Sequence, residues 1–131
     1  MKNLTGLFLL RVAVAIILLA HSIPVLLNGG VNDFGRLYLD AFGFAPFGIL
    51  IAWAIKLSHV AAAVAILTNR FVPFAVIVTV FILVMGIFMV HLENGWFVVG
   101  NGRNGVEFNF LLIFALIAIA FPNGFGKAKN A

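Results

Sequence analysis

The chain contains no cysteine in its 131 residues. This absence excludes disulfide bonds, Cys-X-X-Cys redox chemistry, thiolate nucleophiles and metal sites built on cysteine. It leaves the compartment open, because a chain without cysteine is compatible with an oxidising or a reducing environment. The sequence also lacks a Ser-His-Asp signature and a glycine-rich phosphate-binding loop, so it predicts no familiar hydrolase or nucleotide-binding site.

Charged residues are scarce. They make up 9% of the chain while hydrophobic residues make up 64%, whereas soluble domains carry about 25% charged and about 45–50% apolar residues. Such a chain has too little polar surface to fold in water, so the lipid bilayer is its expected solvent. The net charge is +4, but the cations are scattered singly, and we expect no nucleic-acid partner.

Long apolar runs take the place of the missing charge. A helix needs about 20 mostly apolar residues to cross the hydrocarbon core, and we predict spans at 4–27, 47–68, 71–92 and 106–121. Arg11 interrupts the first run and no cleavage site follows it, so we interpret this run as a retained helix and not a signal peptide. The prediction is an all-α membrane protein, a single domain formed by an antiparallel bundle of four transmembrane helices.

The connections predict the orientation. We expect a polar loop at 28–46, a tight turn at Asn69-Arg70, and a loop rich in glycine and asparagine at 93–105. Cations favour the cytoplasmic side, and four of them fall on the side of the termini: Lys2, Arg70, Lys127 and Lys129. Both termini are therefore predicted to be cytoplasmic, with Arg36, Arg103 and three acids on the outer side.

Ionisable groups inside the predicted spans are the most informative feature. Each costs about 2.5–3.5 kcal/mol on insertion scales, so it needs a partner or a wet cavity. Topology places several such groups in the outer half of the membrane, which predicts one polar pocket that opens outward. The candidate pocket residues are His21, Lys56, His59, His91, Glu107 and Asn109.

Each candidate also has a structural interpretation. Lys56 and His59 lie one helical turn apart on the same face. Lys56 either forms a buried ion pair with a carboxylate, which sets helix register, or contributes with His59 to a polar pocket, a proton relay or a headgroup site. Glu107 either complements the N-terminal dipole of its helix or pairs with Lys56, His21 or Arg103. Arg11 either snorkels to the headgroups, forms a structural ion pair or contacts an anionic ligand, and with Arg70 and Arg103 it is assigned to structure and topology. No two ligand-type residues share a helix at metal-binding spacing, so no metal site is predicted.

Three features of the sequence occur together. Arg11 is followed ten residues later by His21, Lys56 is followed by the turn at 68–70, and the stretch NGVEF at 104–108 leads to PNG at 122–124. In these features the chain resembles the DoxX family of small four-helix bacterial membrane proteins. The resemblance spans nearly the whole chain, although the family usually has glutamate at the position of Lys56 and glycines where Ser58 and His59 stand.

The resemblance implies a subunit of a redox system in the bacterial inner membrane, some relatives being the quinone-reducing subunit of thiosulfate oxidation. A quinone headgroup would then enter the polar pocket, and a partner protein would supply electrons. Two alternatives remain: a non-enzymatic scaffold or partner subunit with a structural polar cluster, and a small transporter or lipid-handling protein. The chain could also form a homo-oligomer.

Overall fold

The computed structural model describes residues 5–100 and 102–126, and all regular structure in them is helical. Leu4, where the first predicted span begins, and Lys2, Lys127 and Lys129 lie outside the described residues. Five α-helices follow one another, with wider π-helical turns after α2 and α4. They are α1 (Gly6–Asn28), α2 (Gly30–Asp33) with π-helical turns at Phe34–Phe44, α3 (Gly48–Thr68), α4 (Val72–Gly86) continuing through Ile87–His91 and Leu92–Asn94, and α5 (Glu107–Ala120).

Three of these helices are long and apolar enough to cross a membrane. They are α1 with 23 residues, α3 with 21 residues, and the continuous stretch Val72–Asn94 with 23 residues, and their mean hydropathies are 2.2, 2.0 and 2.8. At 1.5 Å per residue they extend about 31–35 Å, which matches a hydrocarbon core of about 30 Å. Helix α5 is equally apolar but has 14 residues, which gives about 21 Å.

Local signals explain where the helices begin and end. The Thr5 hydroxyl accepts a hydrogen bond from the Phe8 amide and caps α1, and Gly29 ends α1 with φ of +80°. Asn69 ends α3 in the same left-handed region, and Pro73 stands in the first turn of α4, where its missing N–H costs nothing. The predicted spans at 47–68, 71–92 and 106–121 therefore agree with the observed helices to within two residues.

The prediction of a polar loop at 28–46 was wrong. Residues 30–44, here called the connecting segment, are helical, and a kink at Gly43 with φ of +106° ends them. Val31 and Leu39 are buried against Ala52 of α3, while Asp33 and Arg36 point away from it. The glycine pair and the charges suggested a loop, but the apolar face of the segment packs on α3 and holds it in helical turns.

Two polar contacts fasten the connecting segment to α3. The indole Nε1 of Trp53 donates to the Asn32 side-chain oxygen at 2.8 Å, and the Gly48 amide donates to the Asp40 carboxylate at 2.8 Å. Gly35 and Gly48 allow the backbone of the connecting segment to touch that of α3. A Cβ on Gly35 would collide with α3, and a Cβ on Gly48 would collide with the connecting segment. The connecting segment is thus fixed across the first turns of α3.

Helices α1, α3, α4 and α5 share one apolar core. Helix α1 packs against α3 and α5, and α4 packs against the same two helices, so each helix has two neighbours. Small side chains permit this close approach, and the outer surface is rich in exposed aromatic and aliphatic groups such as Phe71, Phe74 and Phe88. The core consists of Val14, Ala15, Leu18, Ala62, Ala63, Ile66, Val72, Ala75, Val76, Leu83, Leu112, Leu116 and Ile119.

Replacing Gly35 by alanine tests the seat of the connecting segment. The new Cβ would lie 2.5 Å from Ile49 Cα and 2.6 Å from Ile49 N, both of them backbone atoms that cannot rotate away. We expect Gly35→Ala to lower the free energy of unfolding by about 1–3 kcal/mol, measured by thermal unfolding in detergent. Gly6→Ala is the control, since nothing lies within 4 Å of its Cβ position; equal stability of the two variants would contradict the packing described.

Candidate functional site

A cavity of about 710 Å³ lies at the end of the molecule where α1 ends and α5 begins. Its wall is mostly apolar and is formed by α1, α3, α4 and α5, together with the connecting segment and the loop at 95–106. Five of the six predicted pocket residues line it, and Glu107 does not. The five are His21, Lys56, His59, His91 and Asn109.

Lys56 provides the positive charge of the cavity wall. Its Nζ donates a hydrogen bond to the backbone oxygen of His21 at 3.2 Å and lies 5.8 Å from the centre of the Phe34 ring, a distance at which an ammonium is attracted to an aromatic face. Among the described residues that line the cavity there is no aspartate, glutamate or arginine. Lys56 therefore faces the cavity without a carboxylate partner there.

His59 lies one turn further along α3 and is the most unusual polar group of the site. Its side chain is only 7% exposed, and neither ring nitrogen has a hydrogen-bond partner among residues 5–100 and 102–126. Buried polar atoms in folded proteins almost always have a partner, and each one left without costs about 1–3 kcal/mol. Both ring nitrogens are themselves buried, so they can pair with a ligand in the cavity once the ring turns toward it.

His21 approaches the same cavity from α1. Its ring is more exposed and lies 6.0 Å from the ring of Phe108, at the start of α5. The neighbouring Ser22 is fully buried, and its hydroxyl likewise has no partner within the described part of the chain. Helices α1 and α3 thus bring two imidazoles and one ammonium to a single level.

His91 and Asn109 are already paired within the protein. His91 Nδ1 lies 2.7 Å from the backbone oxygen of Asn104, and Asn109 Nδ2 donates to the backbone oxygen of Leu83 at 3.3 Å. Asn109 is 6% exposed, so its contact joins α5 to α4 inside the core. Both residues therefore shape the cavity and have less capacity left for a ligand.

Glu107 stands in the first turn of α5, as one of its two interpretations expected, and it does not line the cavity. Its Oε1 accepts hydrogen bonds from the amides of Val98 and Val99, at 2.8 and 3.3 Å, and it does not pair with Lys56, His21 or Arg103 in the described structure. The amides of Val106 and Glu107 also donate to the backbone oxygens of Gly95 and Trp96. Glu107 thereby ties the loop at 95–106 down over the cavity, where Val98 contributes to the wall.

The arginines lie away from the cavity. The guanidinium of Arg11 contacts the side-chain oxygen of Asn69 in the turn between α3 and α4, while its Nε is buried with no partner in the described residues. Arg70 is exposed in that turn, and Arg103 is exposed in the loop at 95–106. None of the three lines the cavity, and their predicted roles in structure and topology stay predictions.

The aromatic wall was missed at the level of sequence. Phe34, Tyr38 and Phe42 of the connecting segment all line the cavity. Their spacing of four residues is typical of one face of a helix, and this spacing was the signal that could have revealed the wall. Met85 and Met89 of α4 also belong to the wall, and their flexible thioethers can adapt to an irregular apolar ligand.

The donor set favours an organic ligand. No group of three or more His, Asp or Glu side chains that could hold a metal ion occurs in the described ranges. The cavity combines a long apolar wall with a few hydrogen-bonding groups, and its volume falls in the range of about 300–1,000 Å³ that is usual for small-molecule sites. Such a site can hold a molecule with an apolar body and a small polar head.

Glu107 offers a direct test of the loop's attachment. In Glu107→Ala the amides of Val98 and Val99 lose an ionised acceptor, a contact worth about 1.5–3 kcal/mol. We expect their hydrogen exchange to accelerate at least about tenfold. Glu107→Gln, which keeps one acceptor oxygen, should lie between the native protein and Glu107→Ala.

Glu93→Ala is the matched control for that experiment. It removes an exposed carboxylate near the same loop, and this carboxylate accepts no hydrogen bond within the described part of the structure. Exchange at Val98 and Val99 should therefore stay native in Glu93→Ala. Unchanged exchange in Glu107→Ala as well would contradict the role assigned to Glu107.

Comparison with known proteins adds no relative. A scan against protein-family models finds no match, and searches of curated proteins and of solved structures find none either. The resemblance to the DoxX family therefore stays a prediction from the residues, and the function has to be argued from the cavity.

Proposed function

We propose that the chain is a DoxX-like protein of the bacterial inner membrane with four transmembrane helices and both termini in the cytoplasm. Three helices long and apolar enough to cross a membrane, together with the apolar exterior, support the membrane part of this proposal. Helix α5 is short, but it is apolar and packs between α1 and α4. A span of about 21 Å is accommodated by local thinning of the bilayer or by snorkelling residues at its ends.

Within that membrane, the protein is proposed to act as a subunit of a redox system that binds a quinone-type headgroup in the cavity. The observation that carries the proposal is His59, which is buried in the cavity wall with both ring nitrogens unpaired. A quinone carbonyl is an acceptor for an imidazole N–H, and a quinol hydroxyl is a donor to the other form of the same nitrogen. The ligand would therefore satisfy His59 in either oxidation state.

The other lining groups fit the same kind of ligand. Lys56 uses one N–H bond on the His21 oxygen and retains donors for a second carbonyl. Phe34, Tyr38 and the methionines of α4 would hold the apolar ring and tail. Electrons would have to come from a partner protein, since the chain has no cysteine to ligate an iron–sulfur centre.

A scaffold without a ligand is the second candidate. It is favoured by Glu107, His91 and Asn109, whose contacts are all made within the protein and join loop, α4 and α5. In a scaffold, however, the unpaired nitrogens of His59 bring only a cost. The two candidates therefore differ in what removal of this imidazole should do.

His59→Leu tests the proposed function in purified, detergent-solubilised protein titrated with a decyl-tailed benzoquinone. In the native protein, free quinone at about 100 times its Kd should raise the free energy of unfolding by about 2.7 kcal/mol. His59→Leu should bind at least about tenfold more weakly, as expected for the loss of a buried hydrogen bond. Without ligand the variant should be as stable as the native protein or more so, because two unpaired buried nitrogens are gone.

Ser58→Ala is the control on the neighbouring residue. The Ser58 hydroxyl donates to the Ile55 oxygen of its own helix and does not line the cavity, so quinone stabilisation should be retained. If the native protein shows no stabilisation, or if His59→Leu keeps all of it, the quinone site is contradicted and the scaffold is favoured.

The proposed topology is tested by reporter fusions in bacteria. Fusions at the C-terminus and at the Asn69–Arg70 turn should fluoresce with green fluorescent protein and be inactive with alkaline phosphatase, because both sites are proposed to be cytoplasmic. A phosphatase inserted in the loop at 95–106 should be active. Phosphatase activity at the C-terminus would place that terminus outside the cytoplasm. It would therefore contradict the proposal of four spans with both termini in the cytoplasm.

A further inference from the structure

The charges around the cavity do not balance. Lys56 is the one formally charged residue among the described residues of the wall. Lys56 is the ninth residue of α3, so its Cα lies about 12 Å from the beginning of that helix and about 18 Å from its end. A lysine at this depth cannot reach the headgroup region with its four-carbon stem as easily as one in the first turn can.

The four acids of the chain are occupied or exposed elsewhere. Asp40 accepts from the Gly48 amide, and Glu107 accepts from the amides of the loop at 95–106. Asp33 and Glu93 are exposed. The only contacts described for the Lys56 ammonium are a neutral carbonyl and the face of Phe34, so no carboxylate of the described chain neutralises it.

The imidazoles of His21 and His59, which lie near Lys56, add no negative charge to the cavity wall either. His59 is buried with its nitrogens unpaired, and His21 lends its backbone oxygen to Lys56. An imidazole N–H donates to an oxygen, as an ammonium does. The wall thus presents donors around an ammonium, an arrangement that stabilises negative charge on a ligand oxygen in a medium of low dielectric constant.

We propose that the occupant of this cavity carries an anionic oxygen in its polar head, which supplies the counter-charge that Lys56 lacks, and an apolar tail that fills the rest of the space. Lys56 forms the ion pair, and His59 donates to the same head once its ring turns toward the cavity. This proposal rests on the proposed function only in that both place a ligand in the same cavity. Two sources share the chemistry: the carboxylate of a fatty acid, and the ionised hydroxyl of a hydroxyquinone or quinol.

Matched ligand pairs test the proposal by isothermal titration of the full chain in a maltoside detergent. The first pair is dodecanoate and its methyl ester, and the second is a 2-hydroxy-3-alkyl-1,4-naphthoquinone, ionised at neutral pH, and its 2-methoxy analogue. In the pair that the cavity accepts, the charged member should bind at least about tenfold more tightly, as expected for a charge-assisted hydrogen bond in a buried site. The pair that shows this preference identifies the source.

Lys56→Met removes the charge while keeping an unbranched apolar stem of similar length. The preference for the charged ligand should fall to less than about threefold in this variant and persist in Ser58→Ala and, in part, in Lys56→Arg. Lys56→Met should remain folded, since it replaces an ammonium that has no counter-charge by an apolar group. Unfolding of unliganded Lys56→Met below the native temperature would show instead that the lysine is structural, and would overturn the proposal.

The remaining outcomes separate this proposal from the proposed function. Equal binding of the methoxyquinone and the hydroxyquinone, unaffected by Lys56→Met, would overturn the anionic head and leave the quinone site standing. Binding of dodecanoate alone, abolished by Lys56→Met, would support the anionic head and contradict the quinone. Binding of none of the four compounds would overturn both.

Discussion

The desolvation of a few polar groups by hydrocarbon is the constraint on which the rest of this structure depends. Helices with mean hydropathies of 2.0 to 2.8 need no special contacts to remain in lipid, so their packing is decided by the groups that lipid does not tolerate. Lys56 and His59 of α3 meet His91 and Asn109, which come from two further helices, at one cavity. The apolar helices are thereby given a common register.

The polar residues divide into two sets by how their hydrogen bonds are satisfied. Glu107, His91 and Asn109 have partners within the chain and connect the loop at 95–106, α4 and α5. His59 lacks partners for its ring within the described residues, and Lys56 lacks a counter-charge. The first set holds the elements of the cavity wall together, and the second keeps hydrogen-bonding capacity and charge for a ligand. This division is what a binding site requires, since a ligand can be held only by donors and acceptors that the protein itself leaves free.

Much of this could be predicted from the sequence, because a 20-residue apolar run and the depth of a polar residue within it are both linear quantities. The helices at 48–68 and 72–94 and the meeting of His21 with Lys56 and His59 followed from them. The connecting segment did not, because Val31 and Leu39 are held helical by tertiary packing on Ala52. The contacts of Glu107 could not be predicted either, since its partners are backbone amides, which every residue except proline has and which the side-chain pattern does not reveal.

Arg11 and Lys56 show how position decides between structure and function for the same kind of charge. Arg11 stands in the second turn of α1 and reaches the polar turn between α3 and α4, where the Asn69 side chain accepts from its guanidinium. Lys56 lies about 12 Å inside α3, where its contacts in the described structure are the His21 backbone oxygen and the face of Phe34. A cation that reaches a polar turn is satisfied by the fold itself. A cation that faces an apolar cavity gains a counter-charge from a ligand that enters the cavity, and the proposed preference for an anionic oxygen in the head follows from that difference.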